Sequence, residues 1–183
     1  YDLILNNLSL IGSIMSLGMF FLLIRDWIAI RWLSSDVNKK DYYFHLHKKN
    51  SLRNFFVGFS QALSLILLML IILSFSNLIS WDLHFNMRLI INSLFLCLFV
   101  GLAEEVIFRG WLWGEMNLVF GAKWGSTFQA IIFSLIHLRL DMELIESIML
   151  FIGLFMLGLV LAQRRNLDRG SLWGCIGFHG GLV

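Results

Sequence analysis

Asn54 to Ser80 reads NFFVGFSQALSLILLMLIILSFSNLIS, with no Asp, Glu, Lys or Arg and an unbroken Leu/Ile/Met centre from Leu65 to Leu73. About 20 mostly apolar residues suffice to cross a hydrocarbon core as a helix. Working outward, Leu3–Ile24 meets the same criterion and ends at Arg25-Asp26. Leu89 to Trp113 has the length but carries Glu104, Glu105 and Arg109. Val119–Leu138 follows, with a soft start around Lys123. Ser147–Ala162 is short, strongly apolar and ends at Gln163-Arg164-Arg165, and Ser171–Val183 begins a sixth span. The expected fold is therefore all-α, a polytopic transmembrane helix bundle with at least six spans, the last truncated. The chain divides into residues 1–88, with spans one and two and a basic loop, and residues 89–183, which hold the chemistry.

Composition agrees. The 183 residues are 58% hydrophobic and 14% charged, with a mean hydropathy of +0.79. Soluble domains are roughly 45–50% apolar and about 25% charged. A net charge of +2 gives no footprint for nucleic acid, and membrane lipids are the expected surroundings. There is no proline, so no helix here can take a Pro kink. Cys97 and Cys175 sit in apolar runs and read as buried small hydrophobes. Two cysteines make neither a disulfide framework nor a Cys-based zinc site. The chain starts at Tyr1 and stops at Val183 inside an apolar run, so a piece of a longer protein is expected. The first apolar stretch lacks a basic leader and a small-residue cleavage site, so no signal peptide is expected there.

The basic residues alternate with the spans. Arg25, Arg31, Lys39, Lys40, Lys48, Lys49 and Arg53 lie between spans one and two, Lys123 between three and four, and Arg164, Arg165 and Arg169 between five and six. Only Arg88 and Arg139 fall on the other side. The positive-inside rule then makes the basic loops cytoplasmic, in a multi-pass integral membrane protein. In the first loop, Trp27 to Leu33 reads as a short interfacial helix. The stretch from Lys39 to Arg53, with His45 and His47, reads as a solvated face drawn to anionic headgroups rather than a His-x-His metal site.

Span three contains Gly101-Leu-Ala-Glu104-Glu105-Val-Ile-Phe-Arg109-Gly110. Each charge near a bilayer centre costs about 2.5–3.5 kcal/mol, so something must compensate. Glu105 and Arg109 stand at i, i+4 and share a face. Glu104 lies about 100° round the helix and has Phe108 at its own i+4 position, which leaves it for another role. Span four supplies His137. Span six supplies His179 among Gly174, Gly177, Gly180 and Gly181, glycines that let helices approach closely. Ionisable residues in a membrane are expected to face one another or a water-filled cavity. A carboxylate beside water with imidazoles opposite is a general-base arrangement, and the imidazoles can orient water or stabilise an oxyanion. Glu104, His137 and His179 would equally suffice as three ligands for a divalent metal such as Zn, with one position open. Read as packing, the same residues are a buried ion pair, a spare acid and two hydrogen-bonding histidines.

Glu104-Glu105-x-x-x-Arg109, Phe133-x-x-x-His137 and His179, in that order in three spans, resemble the signature of CAAX-prenyl-protease-type intramembrane endopeptidases (the CPBP or ABI family). The resemblance covers about Leu89 to Val183. It implies that Glu104 activates water, that Glu105 and Arg109 support it, that His137 positions the water, and that His179 stabilises the oxyanion. The family's last motif continues to a polar residue four positions on, where Val183 stands here. The resemblance leaves a glutamate-type and a metal-dependent mechanism both open. The implied substrate is a membrane-anchored or lipid-modified protein or peptide. The competing reading is a non-catalytic membrane scaffold, or a proton-coupled carrier that uses the Glu/Arg/His network.

Depth gives a tension. At about 1.5 Å per residue, Glu104 would lie about 14 Å from a span end at Trp113, His179 about 12 Å from Ser171, and His137 about 16–21 Å from Ser126 or Lys123. They meet only if span four starts late or tilts strongly. Glu115 and Asn117 read as solvated at the end of span three, and Asp141, Glu143 and Glu146 as an acidic turn. His84 reads as interfacial, with Trp81, Trp111, Trp113, Trp124 and Trp173 as an aromatic belt.

Overall fold

A computed structural model describes residues 18–27, 30, 50–80, 86–139 and 141–183. The chain forms two compact units, Tyr1–Tyr42 and Tyr43–Val183. In the first, residues 18–27 are helical, with Arg25 paired to its neighbour Asp26 at 2.8 Å. Most of the first expected span, the basic loop with His45 and His47, and the Trp81–His84 stretch lie outside the described residues.

The second unit is helical throughout its described elements: α1 (Ser51–Phe75), α2 (Met87–Glu105), a π-helical segment (Val106–Leu112), α3 (Trp113–Ile136), α4 (Leu144–Leu167) and α5 (Trp173–Leu182). Among the described residues, three stretches are long and apolar enough to cross a membrane: Ser51–Phe75, Ile90–Ile136 and Leu144–Leu167. Of the most apolar windows of the first and last of these, only 11% is buried. Leu65, Leu67 and Leu68 of α1 and Ile148, Met149 and Ile152 of α4 are all exposed. A continuous apolar surface of this kind is stable only where the solvent is itself apolar. The chain is an integral membrane protein.

Ile90–Ile136 spans 47 residues. As one rod it would run about 70 Å, more than twice a hydrocarbon core of about 30 Å. It does not run straight. Gly121 has φ 78° and ψ 163°, a combination essentially reserved for glycine, and the chain reverses there. The contacts are symmetric about it: a Cβ on Gly125 would meet the Asn117 side chain, Phe108 packs on Phe133 at 5.0 Å, and Glu104 reaches His137. One helical run thus supplies the two arms expected as spans three and four. The first arm does not stop at Trp113 but continues to the reversal at Gly121. Glu104 and His137 therefore stand nearly the same number of residues from the turn, which removes the depth tension between these two without a late start or a strong tilt. It also corrects the reading of Glu115, which is 7% exposed rather than solvated. Glu115 lies within the helical run rather than at its end.

Glycine lets α5 enter between its neighbours. A Cβ on Gly177 would collide with the Phe55 carbonyl of α1, and one on Gly180 with the Cys97 carbonyl of α2. Backbone-to-backbone contact of this kind is how helices associate in lipid, where no hydrophobic force drives them together. Around it, Ala62, Leu161, Cys175 and Phe178 form a small buried cluster. Cys97 and Cys175 are free and buried, as expected.

Candidate active site

Three elements converge on one point. α2 ends with Glu104 and Glu105, α3 ends just before His137, and α5 carries His179 near its C-terminal end. All five residues singled out in the sequence come together.

Glu105 and Arg109 are fully buried and bonded, Arg109 Nη1 donating to Glu105 Oε1 at 2.8 Å. The Arg109 guanidinium also lies over the Phe133 ring, 4.2 Å from its centroid. A carboxylate and a ring face together offset much of the cost of burying this cation. The same Glu105 Oε1 meets His179 Nδ1 at 2.7 Å. A carboxylate held by an arginine can only accept, so Nδ1 is the nitrogen that donates and Nε2 is turned outward. His137 is oriented in the same manner by a different acceptor, its Nδ1 donating to the Phe133 carbonyl at 2.7 Å. Its Nε2 is then left for Glu104 Oε2, 3.2 Å away. His179 Nε2 stands 3.8 Å from that same oxygen. Glu104 Oε2 thus sits between two imidazole Nε2 atoms, each ring fixed through its Nδ1.

Burial divides the cluster. The Glu104 and His137 side chains keep 25% and 29% exposure, whereas His179 has 7% and the Glu105–Arg109 pair none. An open acid–imidazole edge therefore rests on a closed ionic backing. Phe133 joins the two: fully buried, it packs on Phe108, His137 and His179 and lends its carbonyl to the histidine four residues on. Both positions of the Phe-x-x-x-His pattern thus have a physical task.

The sequence offered Glu104, His137 and His179 as metal ligands. Among the described residues no group of three His, Cys, Asp or Glu side chains is arranged to hold a metal ion. Each Nδ1 is held by a protein acceptor, which leaves both Nε2 atoms directed at Glu104 Oε2, and no step is derived through a metal.

Two residues take places that the sequence reading did not give them. Arg165, counted as a loop cation, is 4% exposed. Its Nη1 donates to the Arg109 carbonyl, and its guanidinium lies 4.7 Å from the centre of the Trp113 ring. Trp113, expected in an aromatic belt, is itself buried. The signal was present: Gly158, Leu161, Ala162 and Arg165 are the buried positions of α4, spaced i, i+3, i+4, i+7 as one helix face requires. Val183, standing where the last motif has a polar residue, is 53% exposed.

No curated protein and no solved structure matches the chain. The family model of type II CAAX prenyl endopeptidases, Rce1-like, matches residues 86–182, a stretch that holds all three motifs and every residue of the cluster. The match takes in just over half of the sequence, and the chain belongs to the Rce1-like type II CAAX prenyl endopeptidase family.

Proposed function

We propose that this protein is an intramembrane endopeptidase of the glutamate type, and that it hydrolyses a peptide bond in a lipid-modified or otherwise membrane-anchored substrate, a prenylated CAAX protein being the class the family name indicates. The observation that carries the reading is the placement of the half-open Glu104 Oε2 between His137 Nε2 at 3.2 Å and His179 Nε2 at 3.8 Å. Water held by Glu104 and His137 loses a proton to the carboxylate as its oxygen attacks the scissile carbonyl carbon. The carbonyl oxygen becomes an oxyanion and accepts from the Nε2–H of His179 in its imidazolium form, whose Nδ1–H stays on Glu105. On collapse the C–N bond breaks, the Glu104 proton passes to the leaving amine, and two peptides depart. Glu105 and Arg109 touch no reacting atom in this scheme. They hold His179 and balance its charge.

The topology belongs to the same proposal: six spans, basic loops on the cytoplasmic side, and residues 89–183 as the protease core behind an N-terminal pair of spans. The test is to purify the full-length protein and Glu104→Gln in lipid nanodiscs and supply a farnesylated CAAX peptide. The released C-terminal fragment is followed by mass spectrometry, alongside membrane-peptide proteomics on cells carrying each form at matched level. Product from the wild type alone supports the reading. Identical profiles from both forms would move the network to a scaffold or carrier.

A further inference from the structure

The residue whose position the proposed chemistry leaves unexplained is Arg165. It is a cation at the end of α4, 4% exposed, and its neighbours are two carbonyls and an indole face rather than a carboxylate. Burying a charge on such terms is costly, so the carbonyls it meets matter. One is Arg109's, and Arg109 lies inside the π-helical segment Val106–Leu112. In α register the Trp113 N–H would bond that carbonyl. Here it reaches the Phe108 carbonyl instead, one residue further back. The Arg109 carbonyl loses its α-register donor, and a buried carbonyl without a donor is destabilising. Arg165 Nη1 supplies the missing donor. Its planar group lies against Trp113, the residue at which the run returns to α register. Its Nε is steadied by the Gly170 carbonyl at 3.4 Å, in the turn that leads to α5.

The π register matters because Glu105 and Arg109 straddle its start. Reversion to α register would change the turn that links them and rotate Arg109 relative to Glu105. Glu105 Oε1 is the atom that both Arg109 and His179 bond.

We propose that Arg165 is a positioning residue: it caps the carbonyl that the π segment leaves open, holds the helix in π register, and through Arg109 and Glu105 fixes the His179 ring for catalysis. The link to catalysis rests on the protease reading above, whereas the link to the His179 ring does not. A contiguous route is Arg165 to the Arg109 carbonyl, the Arg109 side chain to Glu105 Oε1, and Glu105 Oε1 to His179 Nδ1.

The experiment uses the full chain in nanodiscs with 15N-labelled histidine rings, His179 assigned by His179→Gln. In Arg165→Met the methionine fills space but offers no donor. Its His179 ring signals are expected to move while the protein remains folded, because the signals report the Nδ1 bond of folded molecules only. With a cleavable peptide, kcat is expected to fall about 100-fold, as for a misplacement of about 1 Å, with KM unchanged. His179 signals identical to wild type overturn the inference, whatever the activity. Should Arg165→Met not insert and fold, Arg165→Leu, which also offers no donor, carries the same test with the same two outcomes. A wild type that cleaves nothing removes the protease reading, and the ring signals still decide what Arg165 does.

Discussion

Glu104 and Glu105 are neighbours in sequence and opposites in circumstance. Glu105 has no exposed surface and is bonded to Arg109 and His179, while Glu104 keeps a quarter of its side-chain surface open. Their replacements should therefore fail differently. Glu104→Gln keeps the shape and loses the base, and should lower kcat by about 10²- to 10⁴-fold with an unaltered thermal midpoint. Glu105→Ala strands the Arg109 cation, and should cost about 3–5 kcal/mol of stability, read as a lowered midpoint in detergent or as loss of folded protein in membranes. Equal damage from both changes, at the level of folding alone, would make the cluster structural. The metal question can be put at this scale too. Both histidines use Nδ1 on protein acceptors, and Nε2 of each faces the same carboxylate oxygen. On the proposed glutamate-type reading, peptide cleavage should survive 1,10-phenanthroline and EDTA at concentrations that strip zinc, and a rate that falls with chelator and returns with added Zn would refute that reading.

At the scale of elements, lipid makes some features legible and hides others. Helices facing hydrocarbon must be continuous apolar runs, because no water is present to satisfy a broken backbone. That is why α1 and α4 can be read from residues 54–80 and 147–162 almost directly. The same demand explains why Glu104, Glu105, Arg109, His137 and His179 stand out: in lipid an ionisable residue needs a reason. What the sequence did not disclose depends on backbone state. Nothing in Val106-Ile-Phe-Arg-Gly-Trp-Leu112 announces a π register, which exists by virtue of a side chain 56 residues away. Gly114-Glu115-Met116-Asn117 follows the expected end of span three and is helix, with Gly114 and Glu115 buried. Arg165 was legible only through its spacing from Gly158 and Leu161, a cue masked by the adjacent Arg164, which faces Gln61 and Asp168 instead. The glycines of α5 were legible, and they yield a prediction. Gly180→Val would drive a side chain into the Cys97 carbonyl, forcing α5 and His179 away from α2. Activity should be lost together with a drop in thermal midpoint, whereas Gly153→Ala on α4, with open space around its Cβ position, should change neither.

For the whole molecule the open question is sidedness, and the hairpin supplies a way to decide it. The run from Ile90 reverses at Gly121, and a second reversal lies between Ile136, where α3 ends, and Leu144, where α4 begins. The two turns therefore sit at opposite ends of the part of α3 that follows Gly121. Lys123 and Asp141 are both exposed, one beside each turn. A cysteine at position 123 and a cysteine at position 141 must then report opposite faces if α3 crosses the bilayer. Cys97 and Cys175 are buried, but both should be replaced by Ala or Ser so that only the introduced thiol reacts. In intact cells, a membrane-impermeant maleimide is expected to label Asp141→Cys and to spare Lys123→Cys until the membrane is opened. This is the orientation that the excess of Lys and Arg in the alternate loops calls for. Labelling of Lys123→Cys from outside would invert the topology and place the Glu104–His137 edge in reach of the opposite compartment. Labelling of both from one face would mean that α3 does not span, and the apolar surface of the hairpin would need another explanation. The count of arginines in this argument is one shorter than the sequence alone indicates. Arg165 is buried against Trp113 and the Arg109 carbonyl, so it serves the site's geometry and contributes little to the field at the membrane surface. The bias that remains among Lys123, Arg164 and Arg169 is still opposed only by Arg88 and Arg139 across the bilayer, and the labelling experiment measures whether it is enough.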